Sequence, residues 1–314
     1  MPRASAIMPV YNTKEEYLQE AIESILNQTF GDFEFIILND CSTTNVEEII
    51  LSYKDKRIKY YKNEVNLGIS ESTNKLISLS QGDLILMSDH DDISLPQRFE
   101  KQIKFMDEHF DVGVLSGWFE FYPQQMLNKC PETNEEIVKS LLFGDCVVAN
   151  SCAVIRKSLF TAYNLKYESE YNSTQDYRLW TQLMCKTKFA NLQEVLLKYR
   201  WHDENFSVIK KVRQRILTEK IMLLAQQEHF GIHFGNSINV INKLLNEEEI
   251  QSKEFEKFIE TAYEIKQRAE ETGAYYVLNN NLYKFLCRSV KKDFVSLKTQ
   301  IKAKFIFNLL NSNL

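Results

Sequence analysis

Two hydrophobic periods alternate along residues 5–92. Short apolar runs predict strands over 5–11, 33–38, 57–61 and 84–87. Between them the period lengthens to 3.6, which predicts helices from Thr13, over 46–53 and over 70–80. Because strand and helix alternate four times with short connections, we expect an open parallel α/β sheet with right-handed crossovers.

The first helix carries the clearest pattern. Thr13 and Glu16 have the spacing of a capping box, Thr-x-x-Glu, which predicts that the helix starts there. The apolar residues that follow recur at i, i+3, i+4, i+7 and i+8, as on one buried face: Leu18, Ala21, Ile22, Ile25 and Leu26.

Polar clusters follow three of the predicted strands, at 12–13, 39–40 and 89–92. In open α/β sheets ligands bind outside the carboxyl ends of the strands. We therefore expect these three clusters to share one crevice and form a site.

The acidic run Asp89-His90-Asp91-Asp92 directly follows the apolar run 84–87. Three carboxylates on four positions repel one another unless a cation or basic ligand lies among them. Oxygen ligands of this kind suit Mg²⁺ or Mn²⁺, which usually bring phosphate with them. The chain has no GxGxxG after its first strand and no GxxxxGK[ST], so a carboxylate-bound metal is the natural phosphate holder. The alternative is a solvated acidic turn.

The composition indicates a globular chain. Its 314 residues are 44% hydrophobic, enough for a sizeable core, and nine Gly and five Pro argue against long linkers. No stretch approaches the ~20 apolar residues that span a bilayer, and no signal-peptide pattern opens the chain, so we expect a cytoplasmic protein. The cysteines lack CxxC or metal spacing and are expected to be reduced, small buried residues: Cys41, Cys130, Cys146, Cys152, Cys185 and Cys287.

The net charge of −5 is unevenly spread, since residues 281–314 hold seven basic residues and one acidic residue. An acidic body argues against a nucleic-acid partner. The run 290–305 combines an apolar stripe with flanking lysines, which suits peripheral contact with the cytoplasmic membrane. The alternative is a helix that packs on the rest of the protein and shows its lysines to solvent.

Seven motifs in order resemble the family 2 inverting glycosyltransferases of GT-A fold, over roughly residues 4–208. They are IMPVYN at 7–12, ILNQTF at 25–30, LNDCST at 38–43, NLG at 66–68, DHDD at 89–92, QDYRLW at 175–180 and LLKYRWH at 196–202; residues 150–160 extend the match. The layout around 144–208 is most similar to bacterial enzymes that build lipooligosaccharide, O-antigen or capsule.

The resemblance implies an α/β architecture of GT-A (Rossmann-like) type. A mostly parallel sheet would be flanked by helices and followed by a helical C-terminal extension. The catalytic domain would span 1–208, with a nucleotide-sugar-binding half at 1–118 and an acceptor-binding half at 119–208. The extension would span 209–314.

The resemblance also implies the nucleotide-binding residues. Asp40 would accept a hydrogen bond from the uracil ring, its alternative role being an N-cap for the next helix. The rest of the base pocket would come from Pro9, Tyr11 and Asn12. The motif's usual acid before Asp40 is replaced here by Asn39.

In the acidic run, Asp91 would bind Mn²⁺ or Mg²⁺ and Asp89 would reach ribose or a metal-bound water. Asp92 would contact the donor sugar or cap the next helix. His90 lies on the alternate side of the extended segment and is expected to pack.

The remaining implied roles concern the acceptor and the diphosphate. Asp176 would be the general base, with a helix-terminal acid as the alternative; its usual acidic neighbour is Gln175 here. Arg200 would pair with phosphate, and His202 would complete the metal shell or remain structural.

Together these residues predict transfer of a sugar from a UDP-sugar to a hydroxyl of a glycan or lipid-linked oligosaccharide, with inversion. A hexosamine donor is favoured over galactose or glucose. The alternatives are a non-catalytic nucleotide-sugar-binding relative, a glycosidase, which needs neither base pocket nor metal, and a nucleotidyltransferase, which normally shows a Gly-rich first loop.

Overall fold

The computed structural model describes residues 1–202 and 211–230. The chain divides into two compact units, one formed by 1–140 with 146–209 and one by 141–145 with 210–314. The basic helix predicted at 290–305 lies outside the described residues.

Nine strands of the described residues form one sheet in the order β3-β2-β1-β4-β8-β6-β9-β5, and β7 pairs with β6 off this path. Their bounds are β1 Ala4–Val10, β2 Phe33–Asn39, β3 Ile58–Lys62, β4 Leu84–Met87, β5 Ile93–Ser94, β6 Val112–Tyr122, β7 Met126–Asn128, β8 Val154–Arg156 and β9 Lys188–Arg200.

Eight α-helices accompany the sheet within the described part of the chain. They are α1 Glu15–Leu26, α2 Val46–Ser52, α3 Ile69–Leu79, α4 Arg98–Glu108, α5 Asn134–Leu142, α6 Ser158–Ala162, α7 Gln175–Leu183 and α8 Lys211–Phe230. Two short 3₁₀ turns cover Asn150–Cys152 and Ser169–Tyr171.

The sheet has a parallel half and a mixed half. Strands β3, β2, β1 and β4 are parallel neighbours, with Ala4 opposite Phe33 and Leu84. Every residue of β1, β2 and β4 is buried, as expected for strands covered on both faces. Beyond β4 the strand β8 runs antiparallel to both β4 and β6, and β9 runs parallel to β6. The predicted α/β class and the four N-terminal strands are confirmed.

The first helix buries the predicted face, with Leu18, Ala21, Ile22 and Ile25 all at most 1% exposed. The capping-box prediction is wrong, because the helix begins at Glu15 and its N-cap, Lys14, makes no side-chain cap. The chain turns just before it at Asn12, whose φ is +43°. Asn12 Oδ1 accepts from the Thr43 N–H at 2.8 Å, so the approach to the helix is set by the neighbouring loop rather than by Thr13.

Helix α8 buries Leu217, Ile221, Met222, Leu223 and Ala225. Its buried surface is therefore broader than one amphipathic face. Gln226 Nε2 donates to the Leu142 carbonyl at 2.8 Å within the same unit. Among the described residues, no helix is long and apolar enough to cross a membrane.

The expectation that the cysteines are buried holds for two of the five described. Cys130 and Cys152 are buried, Cys41 is half-buried, and Cys146 and Cys185 are exposed. None of these five cysteines forms a disulfide. The exposed pair lie in a loop and in the turn after α7, where no apolar periodicity places them in the core.

Candidate active site

The loops after β1 and β2 are joined side by side. The Asn12 N–H donates to Ser42 Oγ at 3.1 Å, which complements the Asn12–Thr43 bond. Tyr11 beside them is 46% exposed, whereas Pro9 is buried within β1. Two of the predicted polar strand ends therefore meet at one edge of the sheet.

Asp40 organises the loop between β3 and α3. Its Oδ1 accepts from Asn63 Nδ2 at 2.7 Å and from the Leu67 N–H at 2.9 Å, and its Oδ2 accepts from the Gly68 N–H at 2.8 Å. Gly68 has φ +81°, a conformation that favours glycine. The N-cap alternative is excluded, because the N-cap of α2 is Asn45. Asp40 is 3% exposed and ties the end of β2 to this turn.

The acidic run forms a cluster at the end of β4. Carboxylate oxygens of Asp89, Asp91 and Asp92 all lie within 4.8 Å of one another. His202 Nε2 is 3.1 Å from Asp91 Oδ2, whereas His90 Nδ1 lies 3.3 Å from the Pro9 carbonyl. Three carboxylate oxygens at this separation fit a hard divalent cation, and His202 contacts one of the three carboxylates. His90 contacts a backbone carbonyl instead, as expected of a packing residue.

Burial and repulsion between neighbouring carboxylates raise the pKa values of Asp89 and Asp92. Burial, together with the charges of Asp91 and Asp176, raises the pKa of Asp89 to about 7. Burial and the charges of Asp91 and Asp89 raise the pKa of Asp92 well above its usual value, while the Ser151 hydroxyl and the Arg200 N–H oppose this rise. A divalent cation would remove that repulsion, which is the electrostatic argument that the cluster suits one.

A buried arginine that the sequence did not single out lies beneath the cluster. Arg98, the first residue of α4, is 0% exposed. It donates to the Met87 carbonyl at 2.7 Å, to Ser94 Oγ at 2.9 Å and to Gln102 Oε1 at 3.1 Å. Its positive charge opposes the rise in the pKa of Asp89, so it partly offsets the negative charge of the acidic cluster. Nothing in the local pattern distinguishes it from a solvent-facing arginine at a helix start.

Asp92 does not cap α4, whose N-cap is Gln97. Its Oδ1 instead accepts from the Arg200 N–H at 2.9 Å. The capping alternative is therefore excluded, and the carboxylate holds the end of β9 against the acidic cluster.

Arg200 lies at the site with its guanidinium held by protein groups. Its Nε donates to the Asp91 carbonyl at 2.8 Å and its Nη2 pairs with Glu20. The guanidinium lies over the Tyr17 ring at 4.3 Å and the Tyr122 ring at 5.1 Å. These contacts fix the position of the acidic run relative to α1.

Asp176 lies in the first turn of α7 and faces the same cluster. Burial raises its pKa, against the opposing N–H groups of Tyr177 and of Asp176 itself; the Tyr177 N–H lies 2.8 Å from Oδ1. Its charge contributes to the raised pKa of Asp89, which places the two carboxylates close together. The site therefore brings the cluster of three carboxylates and a further buried carboxylate into one place.

Tyr167 is a second residue that the sequence did not reveal. It is 1% exposed, and its hydroxyl donates to Asn150 Oδ1 at 3.0 Å. Burial raises its pKa well above the usual value, and the charges of Asp176 and Asp89 add to this. The phenol is therefore neutral and lies near enough to Asp176 and Asp89 to feel the charges of both.

The sheet, with its parallel N-terminal half and an acidic cluster at the end of β4, has the architecture of the GT-A glycosyltransferases. Residues 5–163 match the model of the Glycosyl transferase family 2. The chain therefore belongs to glycosyl transferase family 2.

Relatives agree with this membership. An uncharacterized glycosyltransferase of Methanocaldococcus jannaschii is 38% identical over 220 residues, 67% of this chain and 75% of that protein. The UDP-Glc:alpha-D-GlcNAc-diphosphoundecaprenol beta-1,3-glucosyltransferase WfgD of Escherichia coli is 25% identical over 65% of this chain and 79% of its own. The crystal structure of S. aureus TarS 1-349 with UDP-GlcNAc superposes with a TM-score of 0.58 and 19% identity, covering 82% of this chain and 80% of that one.

Proposed function

We propose that this protein transfers a sugar from a UDP-sugar to a hydroxyl of a glycan acceptor, with inversion at the anomeric carbon and with a divalent metal. The observation that carries the proposal is the juxtaposition of the Asp89-Asp91-Asp92 cluster with Asp176. A cation site beside a separate buried carboxylate is what a direct displacement of UDP requires.

Asp91 and His202 would hold Mn²⁺ or Mg²⁺, with Asp89 reaching the ribose or a water on the metal. When bound, the metal neutralises charge on the diphosphate leaving group. Asp92 and Arg200 keep these ligands in position, because the Asp92 carboxylate accepts from the Arg200 N–H and the Arg200 guanidinium donates to the Asp91 carbonyl. We thus assign Arg200 a positioning role, since its guanidinium already contacts Glu20 and the Asp91 carbonyl.

The base pocket would lie over the joined loops after β1 and β2. Tyr11 and Asn12 would border it, with Pro9 beneath in the strand. Asp40 would accept from the uracil ring while it holds the turn at Leu67 and Gly68. The Gly68 N–H occupies only one lone pair of Oδ2, so acceptor capacity remains for the ring.

The reaction would be one in-line displacement. The acceptor oxygen forms a bond to the anomeric carbon as the bond from that carbon to the UDP oxygen breaks. Asp176 takes the hydroxyl proton, and UDP leaves with the electron pair. The raised pKa of Asp176 strengthens it as a base once it is ionised.

Two names among the similar proteins bear on the donor. WfgD is named for UDP-Glc, and the TarS structure contains UDP-GlcNAc. Both support a uridine nucleotide, and we keep N-acetylhexosamine ahead of glucose or galactose. WfgD is also named for a diphosphoundecaprenol-linked sugar. A lipid-linked acceptor at the cytoplasmic face of the membrane is therefore the acceptor we propose.

The test is UDP release from a panel of UDP-sugars, with and without Mn²⁺, for the wild type and for Asp91→Ala. We expect one donor to be hydrolysed slowly, with a requirement for both metal and Asp91. Asp32→Asn is the control, because Asp32 is exposed and remote from the acidic cluster. UDP binding by calorimetry without turnover of any donor would favour a non-catalytic relative. The proposal would be overturned if the protein bound no UDP and released none from any donor.

A further inference from the structure

An aromatic face lies beside the candidate active site, on the ends of β6, β7 and β9. Phe121 pairs with Tyr199 on one side and with Met126 on the other, and Phe119 pairs with Leu197. Directly opposed residues share a face of the sheet, and alternate residues of one strand do too. Leu197 is buried beneath this face, so the aromatic face consists of Phe119, Phe121, Met126, Asn128, Tyr199 and Trp201.

The rings of this face are in mutual contact and open to solvent. Phe121 lies edge-on to Phe119, Tyr199 and Trp201, with ring centroids 5.2, 5.7 and 5.6 Å apart. Trp201 is 43% exposed and Met126 59% exposed. Contiguous exposed apolar surface of this kind usually binds something.

The aromatic face is continuous with the active site at two places. At its inner end Phe119 and Ala149 pack on the buried cluster of Cys152, Leu196 and Leu197. The next residue, Asn150, accepts from the Tyr167 hydroxyl beside Asp176. At its outer end Trp201 follows Arg200, whose N–H is bonded to Asp92.

The chemistry of the face favours a neutral polyol. None of its six residues is charged, so it offers no positive charge to a phosphate or to an anionic lipid headgroup. Aromatic faces carry partial negative charge and attract the C–H bonds on the flat side of a pyranose ring. Asn128 and Tyr199 supply polar groups for hydroxyls. A stable interface between two chains uses about 20–30 residues a side, far more than this face has.

We propose that the aromatic face binds a sugar ring of the acceptor, with Trp201 as the stacking residue. The inference rests on the proposed glycosyl transfer and deepens it by naming the acceptor subsite. The inner end of the same face reaches Ala149 through the cluster on which Phe119 packs, and the next residue, Asn150, accepts from Tyr167 at the site.

The test is saturation-transfer NMR of the full chain, with UDP and Mn²⁺ present and methyl β-glycosides of glucose, galactose and N-acetylglucosamine as probes. Trp201→Ala should weaken binding of the preferred glycoside at least tenfold. Trp201→Phe keeps a flat ring and should stay within about threefold of the wild type. Phe110→Ala is the matched control, since Phe110 is an 80% exposed aromatic residue just before β6 begins.

Calorimetric titration with UDP separates this inference from the proposed function. The acceptor subsite is disproved, and the transferase proposal stands, if the wild type binds UDP but no glycoside. The same holds if the wild type binds UDP and Trp201→Ala binds the glycoside as tightly as the wild type does. Trp201-dependent binding to vesicles of phosphatidylglycerol and phosphatidylcholine, without glycoside binding, would assign the face to the membrane instead. Trp201-dependent dimerisation in sedimentation, without glycoside binding, would overturn it in favour of a second chain.

Discussion

Single residues of the site differ in how far the sequence reveals them. Recognisable motifs contain Asp40, Asp91 and Asp176. The structure brings Asp91 and Asp176 into one acidic site. Arg98 and Tyr167 carry no such signal, because a lone arginine at a helix start and a lone tyrosine in a loop are usually surface residues. Only the packing shows that both are buried beside the carboxylates.

Asp176→Asn should abolish the base without altering the shape of the site. We expect transfer to fall by about 10²–10⁴, the usual contribution of a general base, while the affinity for UDP stays within a few-fold. In the wild type, transfer should rise with pH through the raised pKa of Asp176, because only the ionised carboxylate accepts the proton. Steady-state kinetics over pH 5–9 would measure both. Near-normal turnover of Asp176→Asn would remove it from the mechanism.

Arg98→Met should destabilise the fold through the groups it leaves behind. The Met87 carbonyl, Ser94 Oγ and Gln102 Oε1 would lose their donor, and the acidic cluster its buried positive charge. We expect a loss of about 3 kcal/mol in the free energy of unfolding, measured by urea denaturation. Arg3→Met is the control, since Arg3 forms surface ion pairs with Asp83 and Asp107, worth under about 1 kcal/mol. Equal losses in the two variants would contradict this role of Arg98.

At the scale of elements, hydrophobic periodicity predicted the four N-terminal strands, which are set by the local sequence. Strand β4 has the predicted bounds, and β1, β2 and β3 differ by a residue or so. The predicted start of α1 was wrong, because a hydrogen bond from the Thr43 N–H to Asn12 sets the turn before the helix. The antiparallel insertion of β8 between β4 and β6 was also beyond prediction, since it pairs residues some 70 positions apart in the chain.

The loop from β3 to α3 provides a test of Asp40 as its anchor. Asp40→Asn replaces one acceptor oxygen by an NH₂ group, so a donor would face the N–H of Leu67 or Gly68. We expect these two amides to exchange hydrogen at least tenfold faster, measured by NMR, and UDP to bind about tenfold more weakly. The Gly82 N–H, bonded to Ser5 Oγ at 2.9 Å, is an internal control. Unchanged exchange at Leu67 and Gly68 would show that the turn forms without Asp40.

For the whole molecule, the stability of the metal-free protein should depend on pH, because folding concentrates the three carboxylates of the acidic cluster in one place. The net charge is −5, and the acidic cluster lies at the end of a fully buried strand. Folding therefore confines carboxylates that an unfolded chain would separate. A cation that binds only the folded state would offset this cost by mass action.

The sign follows from Asp89, whose pKa is raised to about 7 in the folded protein from an ordinary value of 3.8. Between these values the folded state binds more protons than the unfolded state, so its stability falls as pH rises. We expect the melting temperature in EDTA to decrease from pH 5 to pH 7.5 and Mn²⁺ to restore it, most strongly at the higher pH. Asp89→Asn should flatten the decrease in EDTA, since the amide does not titrate. A decrease of the same size in Asp89→Asn would place the pH dependence elsewhere, and absence of any Mn²⁺ effect would argue that the cluster binds no cation.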